Sequence, residues 1–95
     1  MSNSNLPKVD SLYRTCIACP SQWEGNLEDG RTFYIRYRWG YFSASVSKAP
    51  SEEVSDALDG IEILGIQYGD EYDGHMDEET MINLLKGHFD FSEII

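Results

Sequence analysis

The fold is decided by one stretch: Ser21-Gln22-Trp23-Glu24-Gly25-Asn26-Leu27-Glu28-Asp29-Gly30-Arg31-Thr32-Phe33-Tyr34-Ile35-Arg36-Tyr37-Arg38-Trp39-Gly40-Tyr41-Phe42-Ser43-Ala44-Ser45-Val46-Ser47-Lys48. It divides into three runs, Ser21–Leu27, 31–38 and 41–48, separated by glycine-bearing turns. In the second run Phe33, Ile35 and Tyr37 alternate with Thr32, Tyr34, Arg36 and Arg38. In the third, Phe42, Ala44 and Val46 alternate with Tyr41, Ser43, Ser45 and Ser47. Alternation with period two is the signature of half-buried strands.

The turns fix the register, because a slip of one residue sends every side chain to the opposite face. Reading Asp29-Gly30 as a two-residue turn sets Trp23 against Arg36 and mixes the faces. A three-residue loop, Glu28-Asp29-Gly30 with Gly30 left-handed, sets Trp23 against Ile35 and Gly25 against Phe33. It also sets Glu24 against Tyr34 and Gln22 against Arg36. A turn at Trp39-Gly40 sets Tyr37 against Phe42, Ile35 against Ala44 and Phe33 against Val46. Both turns agree on one apolar face, so the stretch reads as an antiparallel meander.

Outward from this block the signals are shorter. Residues 1–8 are polar and read as frayed. Asp10 reads as the N-cap of a short helix over 11–18, with Leu12 and Cys16 on one face and Pro20 barring its continuation, although the same stretch also reads as extended. On the other side, Ala49-Pro50-Ser51 breaks the sheet. Ser51 reads as the N-cap of a helix with Glu52 and Glu53 in its first turn, ended by Gly60. Residues 61–68 are apolar and β-branched enough for a fourth strand. Gly69 to Gly74 is a loop. Asp77 caps a second helix over 78–86, with Met81, Leu84 and Leu85 inward and Gly87 as its stop. The tail from His88 alternates weakly, as an edge strand or a docked terminus.

The prediction is therefore an α+β fold in a single domain, 1–95. A small antiparallel sheet combines the three-stranded meander with a fourth strand, and one or two short helices accompany it, the C-terminal one packed on the apolar face. The predicted core is Trp23, Phe33, Ile35, Tyr37, Phe42, Val46, Ile63, Leu64, Ile66, Met81, Leu84 and Leu85.

The chain has 95 residues with 41% hydrophobic and 25% charged content, a globular composition. Area scaling for this mass gives about 5,500 Å² of folded surface against roughly 15,700 Å² unfolded, enough for one modest core. There are 17 acidic and 7 basic residues, for a net charge of −10. That balance argues against general binding to nucleic acid or to anionic membranes. No apolar run is long enough to span a membrane and the first ten residues lack a signal core, so a cytoplasmic protein is expected. The charge is uneven. Residues 1–48 hold every arginine (Arg14, Arg31, Arg36, Arg38), whereas the only base after them is Lys86. Such asymmetry marks an interaction surface or two halves that neutralise each other.

Three motifs bear on chemistry. Cys16-Ile17-Ala18-Cys19 is a lone CxxC. Zinc wants four ligands, and His75 and His88 are not spaced to complete a common finger. A redox site wants a helix in a βαβ setting, which Pro20 and the meander oppose. Two reduced thiols are the simpler reading, and no metal or cofactor is expected. Asp73-Gly74 followed by Met76 and a helix is similar to the second half of an EF-hand loop. Aligned that way, the loop's first ligand position falls on Gly69 and its last on Thr80, so Asp70, Asp73 and Asp77 are short of a site. The third motif is the polar face of the meander. Tyr34, Arg36, Arg38 and Tyr41, with Trp39 at the turn, are suited to clamping a phosphate and stacking a ring. Against this, Glu24 is positioned to neutralise Arg36, or a helix covers the face.

Cys19-Pro20-Ser21-Gln22-Trp23-Glu24-Gly25, then Asp29-Gly30-Arg31, then Tyr34-Ile35-Arg36-Tyr37-Arg38-Trp39-Gly40 resembles a recurring core of small uncharacterised proteins from phages and bacteria. The loop Tyr72-Asp73-Gly74 before a short helix is similar to the ends of those proteins. The resemblance implies a phage or mobile-element setting and carries no activity.

No nucleophile–base pairing, phosphate loop or dinucleotide glycine pattern is present, so an enzyme is not expected. The favoured expectation is a small acidic inhibitor acting in the host cytoplasm. It would block a host defence protein with a basic nucleic-acid-binding groove, such as a nuclease or CRISPR effector, by mimicking phosphates. The carboxylates assigned to that surface are Glu52, Glu53, Asp56, Asp59, Asp70, Glu71, Asp73, Glu78 and Glu79. The alternative is a small-ligand protein that sequesters a nucleotide signal through Tyr34, Arg36, Arg38, Trp39 and Tyr41. Unpaired sheet edges are compatible with a homodimer.

Overall fold

The computed structural model describes residues 6–16 and 21–94. Five strands form one antiparallel sheet in sequence order: β1 (Val9–Cys16), β2 (Ser21–Leu27), β3 (Thr32–Arg38), β4 (Tyr41–Val46) and β5 (Ile61–Gln67). Two helices accompany them among the described residues, α1 (Val54–Leu58) and α2 (Glu78–Leu85). The α+β class and the meander are as predicted, but the sheet has five strands rather than four.

Both turns are as read from the sequence. Trp23 faces Ile35 and Gly25 faces Phe33, while Tyr37 faces Phe42 and Phe33 faces Val46. Gly30 is left-handed at φ 95°, and the Leu27 N–H donates to the Arg31 carbonyl at 2.8 Å across the three-residue loop. Trp39 (φ 58°) and Gly40 (φ 73°) are both left-handed, the conformation a two-residue hairpin turn of matching twist requires.

The segment predicted as the first helix is a strand. Val9 pairs with Leu27, Ser11 with Asn26 and Leu12 with Gly25, so Asp10 is the extra residue of a bulge rather than a helix cap. β2 offers a full row of backbone groups on that side, and satisfying them outweighs a one-turn helix with a single shared face. Gly25 permits the close approach: a Cβ there would lie 2.0 Å from the Ser11 carbonyl oxygen and 2.6 Å from the Phe33 ring.

The third segment also shifts. The Ser51 hydroxyl accepts the Glu53 N–H at 3.0 Å and donates to Asp56 at 2.5 Å, which forms a turn before the helix. α1 therefore starts at Val54 with Glu53 at its N-cap, and Glu52 precedes it. This short helix reaches β3 and β4 and buries Ala57. The predicted α2 cap is correct: Asp77 accepts the Thr80 N–H at 2.8 Å.

Trp23, Phe33, Ile35, Tyr37, Phe42, Val46, Met81 and Leu85 are buried, and Ile63, Leu64, Ile66 and Leu84 pack partly buried against them. The cluster also takes in Val9, Leu27, Ala44, Met76, Phe89 and Phe91. The tail docks rather than forming a strand. Lys8 and Asp90 make an isolated parallel bridge, with the Asp90 N–H donating to the Pro7 carbonyl at 2.8 Å. Pro7 and Lys8 are thus part of the structure, and the remainder of the expected frayed segment, residues 1–5, lies outside the described residues. No helix among the described residues is long and apolar enough to cross a membrane.

Candidate functional site

Register and alternation assemble the polar face in rows. Gln22, Arg36 and Ser43 lie opposite one another across β2, β3 and β4, and Arg38 lies opposite Tyr41 one step further on. Arg36, Arg38, Trp39, Tyr41 and Ser43 together line an open concavity of about 300 Å³. This is at the small end of ligand pockets.

The guanidinium groups there are in no ion pair among the described residues. Glu24 faces Tyr34 and Arg36 faces Gln22, which sets Glu24 diagonal to Arg36 as expected, but the two form no ion pair among the described residues. Among the described residues the ion pairs are Lys8–Glu93 and Arg31–Asp29. The Arg36 Nε is buried with no hydrogen-bond partner. Leaving such a donor unsatisfied costs about 1–3 kcal/mol. The Arg38 guanidinium stacks on the Trp39 ring, 4.7 Å from its centroid. Trp39 is 61% exposed.

The other members are tied sideways. The Tyr34 hydroxyl donates to Gln22 at 2.8 Å, which keeps it out of the concavity's lining. Burial raises its phenol, and Arg36 opposes that rise. The Tyr41 hydroxyl donates to Glu62 at 3.2 Å, and desolvation followed by that carboxylate raises its phenol too. Gly65 makes room for this pair, since a Cβ there would meet both groups.

The Trp39-Gly40 turn is held by the loop after β5. The Gly40 N–H donates to the Asp73 carbonyl at 2.7 Å, and the Tyr68 N–H donates to the Gly40 carbonyl at 2.8 Å. The Gln67 side-chain amide donates to the Trp39 carbonyl at 2.9 Å. A Cβ on Gly40 would lie 2.1 Å from the Asp70 carbonyl oxygen, so the contact requires glycine for space as well as for φ. This docking builds a second, smaller hollow of about 80 Å³, lined by Arg38, Trp39, Tyr72, Asp73 and Gly74. Below it, Ser21 accepts the Met76 N–H at 3.0 Å and Arg14 donates to the Met76 carbonyl at 2.7 Å, pinning the segment to the sheet.

The nine sequence-predicted carboxylates are divided between the two ends of the sheet. Glu52, Glu53, Asp56 and Asp59 surround α1, beside the first hairpin turn, where the Ser51 N–H donates to the Gly30 carbonyl. Asp70, Glu71 and Asp73 lie on the loop docked to the second turn, and Glu78 and Glu79 open α2. The seven residues of β3 separate the two turns, roughly 20 Å at 3.3 Å per residue. Several of these groups also serve the fold. Asp56 takes the Ser51 hydroxyl, Asp70 the Tyr72 N–H, and Asp73 the Tyr37 hydroxyl. The CxxC reading rests on Cys19, which lies outside the described residues.

Ser43 and Tyr72 were not singled out from the sequence. Ser43 was legible as the residue facing Arg36. Tyr72 carried no local signal, because its place depends on how the loop docks onto Gly40. No protein-family model, curated protein or solved structure matches the chain.

Proposed function

We propose that the chain is a non-catalytic binding protein that holds a small anionic ligand on its Arg36–Arg38 face. The observation that carries this reading is the open concavity lined by two guanidinium groups, Arg36 and Arg38, neither of them in an ion pair among the described residues. Two guanidinium groups lining one open concavity suit an anion, which they would hold by charge-assisted hydrogen bonds. The acidic-mimic reading has less in its favour, since its carboxylates are split between two turns.

Calorimetric titration with inorganic pyrophosphate tests the proposal. Binding should weaken at least tenfold in the Arg36→Ala/Arg38→Ala double variant. It should persist when Glu52, Glu53, Asp56 and Asp59 are replaced by Lys. Equal affinity in the double variant would remove the basis of the proposal.

A further inference from the structure

The two hollows share a wall. Arg38 and Trp39 line both, with Arg36, Tyr41 and Ser43 on one side and Tyr72, Asp73 and Gly74 on the other. The first hollow is cationic and the second has two exposed aromatic side chains, Trp39 at 61% and Tyr72 at 85%. Neither ring is needed to fill the core, whose cluster contains neither. Trp39 moreover occupies a left-handed turn position where Asn or Gly is the easy choice. Keeping a large side chain there costs about 1–2 kcal/mol of backbone strain. A strained backbone that presents an exposed tryptophan beside two arginines in no ion pair among the described residues calls for a ligand contact.

We infer that the site takes a mononucleotide, with its phosphate on Arg36 and Arg38 and its base stacked on Trp39 against Tyr72; this deepens the reading above and rests on it. Guanidinium groups recognise phosphate oxygens by charge-assisted hydrogen bonds, and the indole face stacks any base. The net charge of −10 and the acids around the second turn oppose a long polyanion, so the ligand is a single nucleotide rather than a strand.

The test compares three probes on the intact chain: guanosine 5′-monophosphate, adenosine 5′-monophosphate and ribose 5-phosphate. Only Trp23 and Trp39 absorb and emit as indoles, and Trp23 is fully buried. Fluorescence quenching therefore reports on Trp39, and calorimetry gives the affinities. A nucleotide should bind roughly tenfold or more tightly than ribose 5-phosphate, the scale of one stacked base. That advantage should disappear in Trp39→Asn and Tyr72→Ala, both exposed positions whose thermal midpoints confirm folding, and in Tyr72→Ala, whose position does not line the Arg36–Arg38 concavity, ribose 5-phosphate affinity should stay. Equal binding of nucleotide and sugar phosphate, with pyrophosphate still held, would overturn the nucleotide and leave the anion site. Loss of all phosphate binding would overturn both.

Discussion

Tyr37 donates its hydroxyl hydrogen to the Asp73 carboxylate at 2.6 Å, tying the core face of β3 to the loop that carries Tyr72. Burial first, and then that carboxylate, push the Tyr37 phenol well above its ordinary value, so it remains a donor throughout the neutral range. In Tyr37→Phe the Asp73 carboxylate keeps only the longer His75 N–H contact at 3.5 Å. The expected loss is about 1–2 kcal/mol. It should be read as a lower urea midpoint with unchanged slope. An unmoved midpoint would mean the bond adds nothing to stability.

Gly25→Ala should be among the most damaging single changes. Its Cβ would press on the Ser11 backbone and the Phe33 ring together, so relief on one side worsens the other. Overpacking of this kind costs about 1–3 kcal/mol, more where backbone must move. Amide exchange should show β1 opening first.

Trp39→Asn should leave stability unchanged or raise it by up to about 1 kcal/mol, because Asn suits the left-handed turn. The same variant should lose the base-dependent part of ligand binding. A clear loss of stability would show that the Arg38 stack supports the fold.

Arg36→Met should also stabilise the fold, since it removes a buried donor without a partner. Thermal unfolding in the absence of ligand is the measurement. A fall in the midpoint would mean that the guanidinium is satisfied in solution.

Acid should weaken the fold through two caps. Hydrogen bonds from Thr80 hold the Asp77 carboxyl below its ordinary range, and bonds from Ser92 do the same for Asp90. Both folded values are depressed, so their contribution is complete above the ordinary value of 3.8 and is lost as pH falls through the lower folded values. Thermal midpoints from pH 6 to pH 2 should drop along that limb. Asp77→Ala should flatten part of it.

Most of the sheet was legible because its turns are local. Gly30 and Gly40 restrict the loop types, and alternation on either side leaves one register. β1 was hidden by its bulge. The register shifts at Asp10 and at Thr15 break the alternation where it would have been recognised, and Leu12 and Cys16 are four apart, as on a helix. Phe89 and Phe91 carried the right period, but Asp90 between them docks on Pro7 and Lys8, in a segment whose composition reads as frayed. The candidate site divides in the same way. Arg36, Arg38, Trp39 and Tyr41 follow from strand alternation and one turn. Tyr72 joins them only through a loop that closes on Gly40 from a distant part of the chain.

The parallel bridge between Lys8 and Asp90 joins residues from opposite ends of the sequence, and Phe89 beside it packs on Phe33 with ring centroids 5.3 Å apart. The meander from β2 to β5 closes through neighbouring strands, whereas this contact must wait until the whole intervening chain is in place. On this ground the tail is expected to dock after the folding barrier. Phe89→Ala, for all that it empties a core position, should leave the rate of folding almost untouched and speed unfolding. That outcome would place the lifetime of the native molecule in a contact that its folding nucleus does not use.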